Sequence, residues 1–153
     1  MVGVKTVRGF LPVAGLVLAI VGSGISGYLS FEHGREGALV CGVGHGCQVV
    51  AASSYAHLGP LPTASYGMFM YLMLTAVYGT RLIIRPSVQV VLSLRVGTTI
   101  VTCVGTGISA WLTYVELYIL HAVCFWCVMS AITITFLLIV AAAEFIPRRQ
   151  RPE

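Results

Sequence analysis

Four long apolar runs constrain this chain more than any other feature. They cover roughly 10–29, 65–84, 87–114 and 122–145. Each has about 20 residues or more, the length a helix needs to cross a hydrocarbon core of about 30 Å. Hydrocarbon offers no partner to a backbone N–H or C=O, so a crossing chain folds as helices or as a closed barrel. The runs lack the apolar-polar alternation of barrel strands. The expected fold is therefore all-α and integral to the membrane: a four-transmembrane-helix bundle, one domain over 1–153. Composition agrees, with 58% hydrophobic and only 9% charged residues. The third run is long enough to tilt or bend. Lys5 and Arg8 before the first run imitate a signal peptide, but the apolar stretch continues beyond a normal signal core. It reads as a retained helix.

Charge gives the orientation. With four spans both termini share a side, and all of the nine Lys and Arg except Arg35 fall on or near it. The positive-inside rule puts that side in the cytoplasm. The net charge of +4 is then a topology signal. A nucleic-acid partner is not expected, because no basic patch with interleaved aromatics exists.

The segment at about 30–63 is the one long loop, and it is expected outside the cytosol. It carries Cys41 and Cys47 in CGVGHGC, followed by CQVVAASSYAHLG. The second stretch reads as a short interfacial helix that ends at Gly59, with Pro60 and Pro62 preventing continuation. The fourth run opens on the same face with HAVCFWCVMS, which contains Cys124 and Cys127. Four of the five cysteines thus gather at one membrane face, in a compartment that permits disulfides. Cys103, within the third run, reads as a small packing residue.

Cysteines three apart at a helix start share a face, close enough for a disulfide. Free N–H groups and the helix dipole stabilise a thiolate there, so the pair suits cycling between dithiol and disulfide. Cys41 and Cys47, in a glycine-rich loop, can close on each other or swing to the helix pair. Exchange then proceeds by thiolate attack through a mixed disulfide. A loop staple and a static bridge are the alternatives. A metal site fits less well, because C-x5-C followed far away by C-x2-C is poor zinc spacing. No nucleotide or flavin fingerprint appears. The helix pair is flanked by Phe125 and Trp126 at the membrane boundary, where a lipid-soluble quinone can reach it.

Three pieces, CGVGHGC, CQVVAASSYAHLGPLPTASYG and YVELYILHAVCFWCVMSA, span about 30–131. Their order resembles the vitamin K epoxide reductase family in its bacterial disulfide-forming branch. The resemblance implies a four-helix bundle around a quinone of the ubiquinone or menaquinone type. It implies that Cys41 exchanges with a thioredoxin-like thiol oxidase, and that Cys47 passes electrons to Cys124 through a transient bridge. Cys127 would then face and reduce the quinone, with Ser53 donating a hydrogen bond to its carbonyl. Many bacterial members carry a fused thioredoxin-like domain. The chain ends at Glu153 without one, so the expected partner is a separate extracytoplasmic protein. Animal members have a Tyr where Ala131 stands, which weakens epoxide reduction as the activity.

The expected function is that of a membrane thiol–quinone oxidoreductase supporting disulfide formation. The rival readings are a vitamin K epoxide or quinone reductase and a structural tetraspan with static disulfides. Other residues read as structural. His121 is an interfacial histidine with a weaker reading as a cation tuning Cys124. His33, His45 and His57 show no metal spacing. Glu116, near Tyr114 and Tyr118, reads as a solvated boundary residue. Gly22 with Ser26 and Gly105 with Ser109 read as helix contacts.

Overall fold

A computed structural model describes residues 3–33, 46–84 and 87–145. Cys41, His45 and the basic run at 148–151 lie outside the described residues. Most of the rest is helical: α1 (Gly3–His33), the short α2 (Gly46–Ala51), α3 (Thr63–Ile83), α4 (Val88–Tyr118) and α5 (Phe125–Ala143).

Among the described residues three segments are long and apolar enough to cross a membrane: Phe10–Glu32, Val88–Tyr118 and Phe125–Ala143. α3 lies where another span is expected, and it is a helix of 21 residues. It is not among the three, because Tyr66, Tyr71, Thr75, Tyr78, Thr80 and Arg81 dilute its hydropathy.

Those tyrosines instead make the core. A stripe of small residues on α1 receives the large side chains of α3 in antiparallel register. Tyr78 packs over Gly15, Tyr71 over Gly22, and Gly67 lies opposite Ser26. A Cβ at position 22 would collide with the Tyr71 ring. Tyr71, Leu74 and Tyr78 are buried with Ala19 of α1 and with Ile134 and Leu137 of α5. On α4, Gly105 lets Met70 of α3 and Ile134 of α5 approach. Small residues let backbones close up where no hydrophobic driving force separates helix from lipid. The Tyr71 hydroxyl donates to the Ser130 carbonyl at 3.0 Å, pinning α3 to α5 one turn beyond Cys127.

Hydroxyls on the long helices satisfy themselves. On α4, Thr102 and Thr106 each donate to the carbonyl four residues back, at 2.8 Å. Polar side chains inside an apolar medium need such partners.

α4 has 31 residues, a length of about 46 Å at 1.5 Å per residue. It runs a turn past the expected end at 114, to Tyr118. On its outer side Trp111, Tyr114 and Tyr118 form a stacked ladder, with centroids 5.9 and 4.8 Å apart. Exposed aromatics of this kind mark the membrane–water boundary.

The segment after Cys47 departs from the expected continuous helix. α2 stops at Ala51, a 3-10 turn covers Ser54–Ala56, and a two-residue hairpin pairs His57 with Pro62 and Leu58 with Leu61. The backbone leaves helical geometry at Ser53, which is extended with φ −77° and ψ 153°, and the Ser53 hydroxyl donates to the Val50 carbonyl at 2.7 Å. Gly59 turns the hairpin with a φ of 71°, a conformation glycine adopts without strain.

Candidate active site

Cys47 is the second residue of α2 and is 1% exposed; Cys124 is 2% exposed. The two pack together, surrounded by Leu29, Val50, Ala51, Trp126 and Cys127. Their approach depends on Gly46. A Cβ there would run into the Val123 backbone carbonyl, so only glycine lets α2 press against the linker before α5. Cys47 is disulfide-bonded, whereas Cys124 and Cys127 are free thiols.

That linker is built around Glu116. Its backbone carbonyl accepts the Ala122 N–H at 3.1 Å, and its carboxylate Oε2 accepts the Cys124 N–H at 3.0 Å. The Ile119 and Leu120 N–H groups both fold back on the Val115 carbonyl. The reversal is completed by His121 with a φ of 48°, which costs a non-glycine residue about 1–2 kcal/mol. His121 is exposed and makes the turn.

Cys124 is the residue immediately before α5, and Cys127 lies in its first turn. The thiol of Cys127 is hydrogen-bonded to Cys124 and also interacts with the Glu116 carboxylate. The Cys127 hydrogen bond, helped by the backbone N–H groups of Cys127 and Trp126, holds Cys124 below the usual thiol range; burial and the Glu116 charge oppose it. The pair is thus polarised, with the thiolate favoured on Cys124.

A cavity of about 80 Å³ opens beside the cysteines, and its lining includes Cys47, Ser53, Tyr55, Glu116, Cys124 and Cys127. Leu29, Val50, Leu112, Val115 and Leu120 give it apolar walls. Its roof is tied down by the Thr63 hydroxyl, which donates to the Ala56 carbonyl at 3.0 Å. A mostly apolar lining with a few polar groups is the usual chemistry of a small-molecule site.

The cavity gathers Cys47, Ser53, Cys124 and Cys127. Cys41 lies outside the described residues. The Ser53 hydroxyl already donates to the Val50 carbonyl, so it must rotate to donate into the cavity. Trp126 packs on the cysteine cluster and against Tyr28, with centroids 4.9 Å apart. Phe125 is 43% exposed and does not line the cavity. Cys103 is exposed on α4, away from the site.

Glu116 is the residue that sequence reasoning misread. Expected as a solvated boundary residue, it is 3% exposed and holds the cysteine linker. The error came from ending the helix at 114. The signal was present, because a lone acid in an apolar run marks a functional site by default.

The sequence pattern of the vitamin K epoxide reductase family matches residues 13–142. The chain belongs to that family. No curated protein matches it. Family membership and three spanning-length helices make it a multi-pass, all-α membrane protein. Membership also makes it an oxidoreductase of the quinone-linked thiol type in general.

Proposed function

We propose that the protein takes electrons from a reduced thioredoxin-like protein outside the cytosol and delivers them to a quinone, thereby supporting disulfide formation. The observation that carries this reading is the burial of Cys47 against Cys124 beside a cavity that Cys127 and Ser53 also line. The charge distribution supports an orientation with both termini in the cytoplasm and the cysteines on the opposite face. α3, tied to α1 along its length, is read as the fourth span of the bundle.

The partner's thiolate exchanges with Cys41. The freed Cys47 thiolate attacks Cys124 Sγ, which breaks the Cys124–Cys127 bond and releases Cys127. The partner's second thiolate attacks its bond to Cys41, which leaves the partner as a disulfide and frees Cys41; the Cys41 thiolate then attacks Cys47, releasing Cys124 and restoring the loop disulfide. The end point has Cys47 oxidised and the helix pair reduced. The bonded Cys47 and free Cys124 and Cys127 match that stage. A bound quinone supplies a two-electron, two-proton sink. Around it Leu112, Val115 and Leu120 would exclude water, Ser53 would present its hydroxyl to a carbonyl, and Cys127 would face the ring.

The test is turnover of the purified protein with a reduced thioredoxin-like donor, following quinone absorbance for wild type and Cys124→Ala. Reduction by wild type alone is expected. Wild-type protein inert toward both ubiquinone and menaquinone analogues would overturn the reading.

A further inference from the structure

Among the described residues, the buried carboxylate at the cysteine pair belongs to Glu116. Its Oε2 accepts the Cys124 N–H at 3.0 Å, the side chain interacts with the Cys127 thiol, and it lines the cavity. A structural carboxylate would need only the first of these contacts. From the juxtaposition of carboxylate, Cys127 thiol and cavity wall, we propose that Glu116 is a catalytic residue that takes the Cys127 proton as the Cys124–Cys127 disulfide forms and passes it into the cavity. The proposal rests on the thiol–quinone reading above and adds the proton route to it.

The step balances. The reduced pair holds a thiolate on Cys124 and a thiol on Cys127. The S–S bond forms, the Cys127 S–H bond breaks, and two electrons leave for an acceptor of the quinone class. The Cys127 proton goes to Glu116 and from there to one acceptor oxygen. The second proton comes from solvent. Before the step the carboxylate accepts from the Cys124 N–H, and it shares the single Cys127 S–H proton with the Cys124 thiolate. After it the thiol donor is gone, and a buried carboxylate short of a donor retains a proton. Glu116 therefore holds the proton until the acceptor removes it. Among the described residues, the other ionisable groups lining the cavity are Cys124, Cys127 and Tyr55, with Cys47 held in its disulfide.

Glu116→Gln keeps an oxygen for the Cys124 N–H while abolishing proton acceptance. Quinone reduction by this variant should fall roughly 100-fold or more, with thermal unfolding unchanged, and Glu116→Asp should recover part of the rate. A second readout needs no quinone. The pair is oxidised with diamide, and the infrared difference spectrum is recorded on the full chain. A protonated-carboxyl carbonyl band should rise in wild type, shift in Glu116→Asp and vanish in Glu116→Gln. Glu116→Gln turning over at the wild-type rate, or no such band in wild type, would overturn the proton role. If wild type reduces no quinone, the function proposed above fails, and the infrared band still decides the role of Glu116.

Discussion

Cys124 and Cys127 are three residues apart and chemically unlike. Cys124, outside α5, is stabilised as a thiolate chiefly by the Cys127 thiol, then by backbone N–H groups at the helix start. A lowered thiol pKa means that thiolate, the reactive form, is present at lower pH. In a Cys103→Ser background, alkylation of Cys124 should reach half its limiting rate at a pH below that of an unperturbed thiol, about 8.5. Removing the main cause with Cys127→Ala should move the midpoint upward. A midpoint that stays put would mean the Cys127 thiol does not polarise its neighbour.

At the scale of elements, the site exists because two short pieces touch. α2 is only six residues long and reaches the α4–α5 linker through Gly46, whose missing side chain leaves room for the Val123 carbonyl. That obstacle is backbone, which cannot rotate away as a side chain can. Gly46→Ala should therefore displace α2 and separate Cys47 from Cys124. Formation of a Cys47–Cys124 adduct, followed on non-reducing gels in a Cys127→Ala background, should fall at least tenfold while far-ultraviolet dichroism stays constant. Undiminished adduct would show that the loop reaches Cys124 without this packing. The extra turn of α4 works alongside, since it carries Glu116 to the linker.

The whole molecule is closed at its other end by charge. Arg81 of α3 meets Glu144, the residue capping α5, at 2.7 Å, with side chains 6% and 3% exposed. Arg95 of α4 approaches the same oxygen at 3.4 Å. These arginines read in sequence as topology signals, and they also join three helices through one carboxylate. Removing one partner of a buried pair leaves a charge uncompensated, at a cost of roughly 3–5 kcal/mol. Glu144→Gln should lower the unfolding midpoint in detergent markedly. Because the cysteines lie at the opposite end of the bundle, alkylation of Cys124 in the remaining folded protein should keep its pH profile. A stable Glu144→Gln variant would make the cluster incidental.

Length and hydropathy are properties of a chain read one residue at a time. The sequence alone therefore determined the helical, membrane-spanning class and the neighbourhood of each apolar run. Cysteine spacing likewise pointed to thiol redox chemistry as an expectation, because a C-x2-C pair at a helix start is a local arrangement. Other features depend on contacts between distant segments, which no local pattern encodes. Tyr71 and Tyr78 dilute the hydropathy of α3, and only their seats over Gly22 and Gly15 reveal them as core. CQVVAASSYAHLG has the composition of one helix, but the extended backbone at Ser53 and the turn at Gly59 divide it. Glu116 stood out in the sequence as a lone acid in an apolar run, but nothing local tied it to the cysteines. The tertiary structure decided its role by continuing α4 one turn and folding the linker back over it, which buries the carboxylate against the thiols.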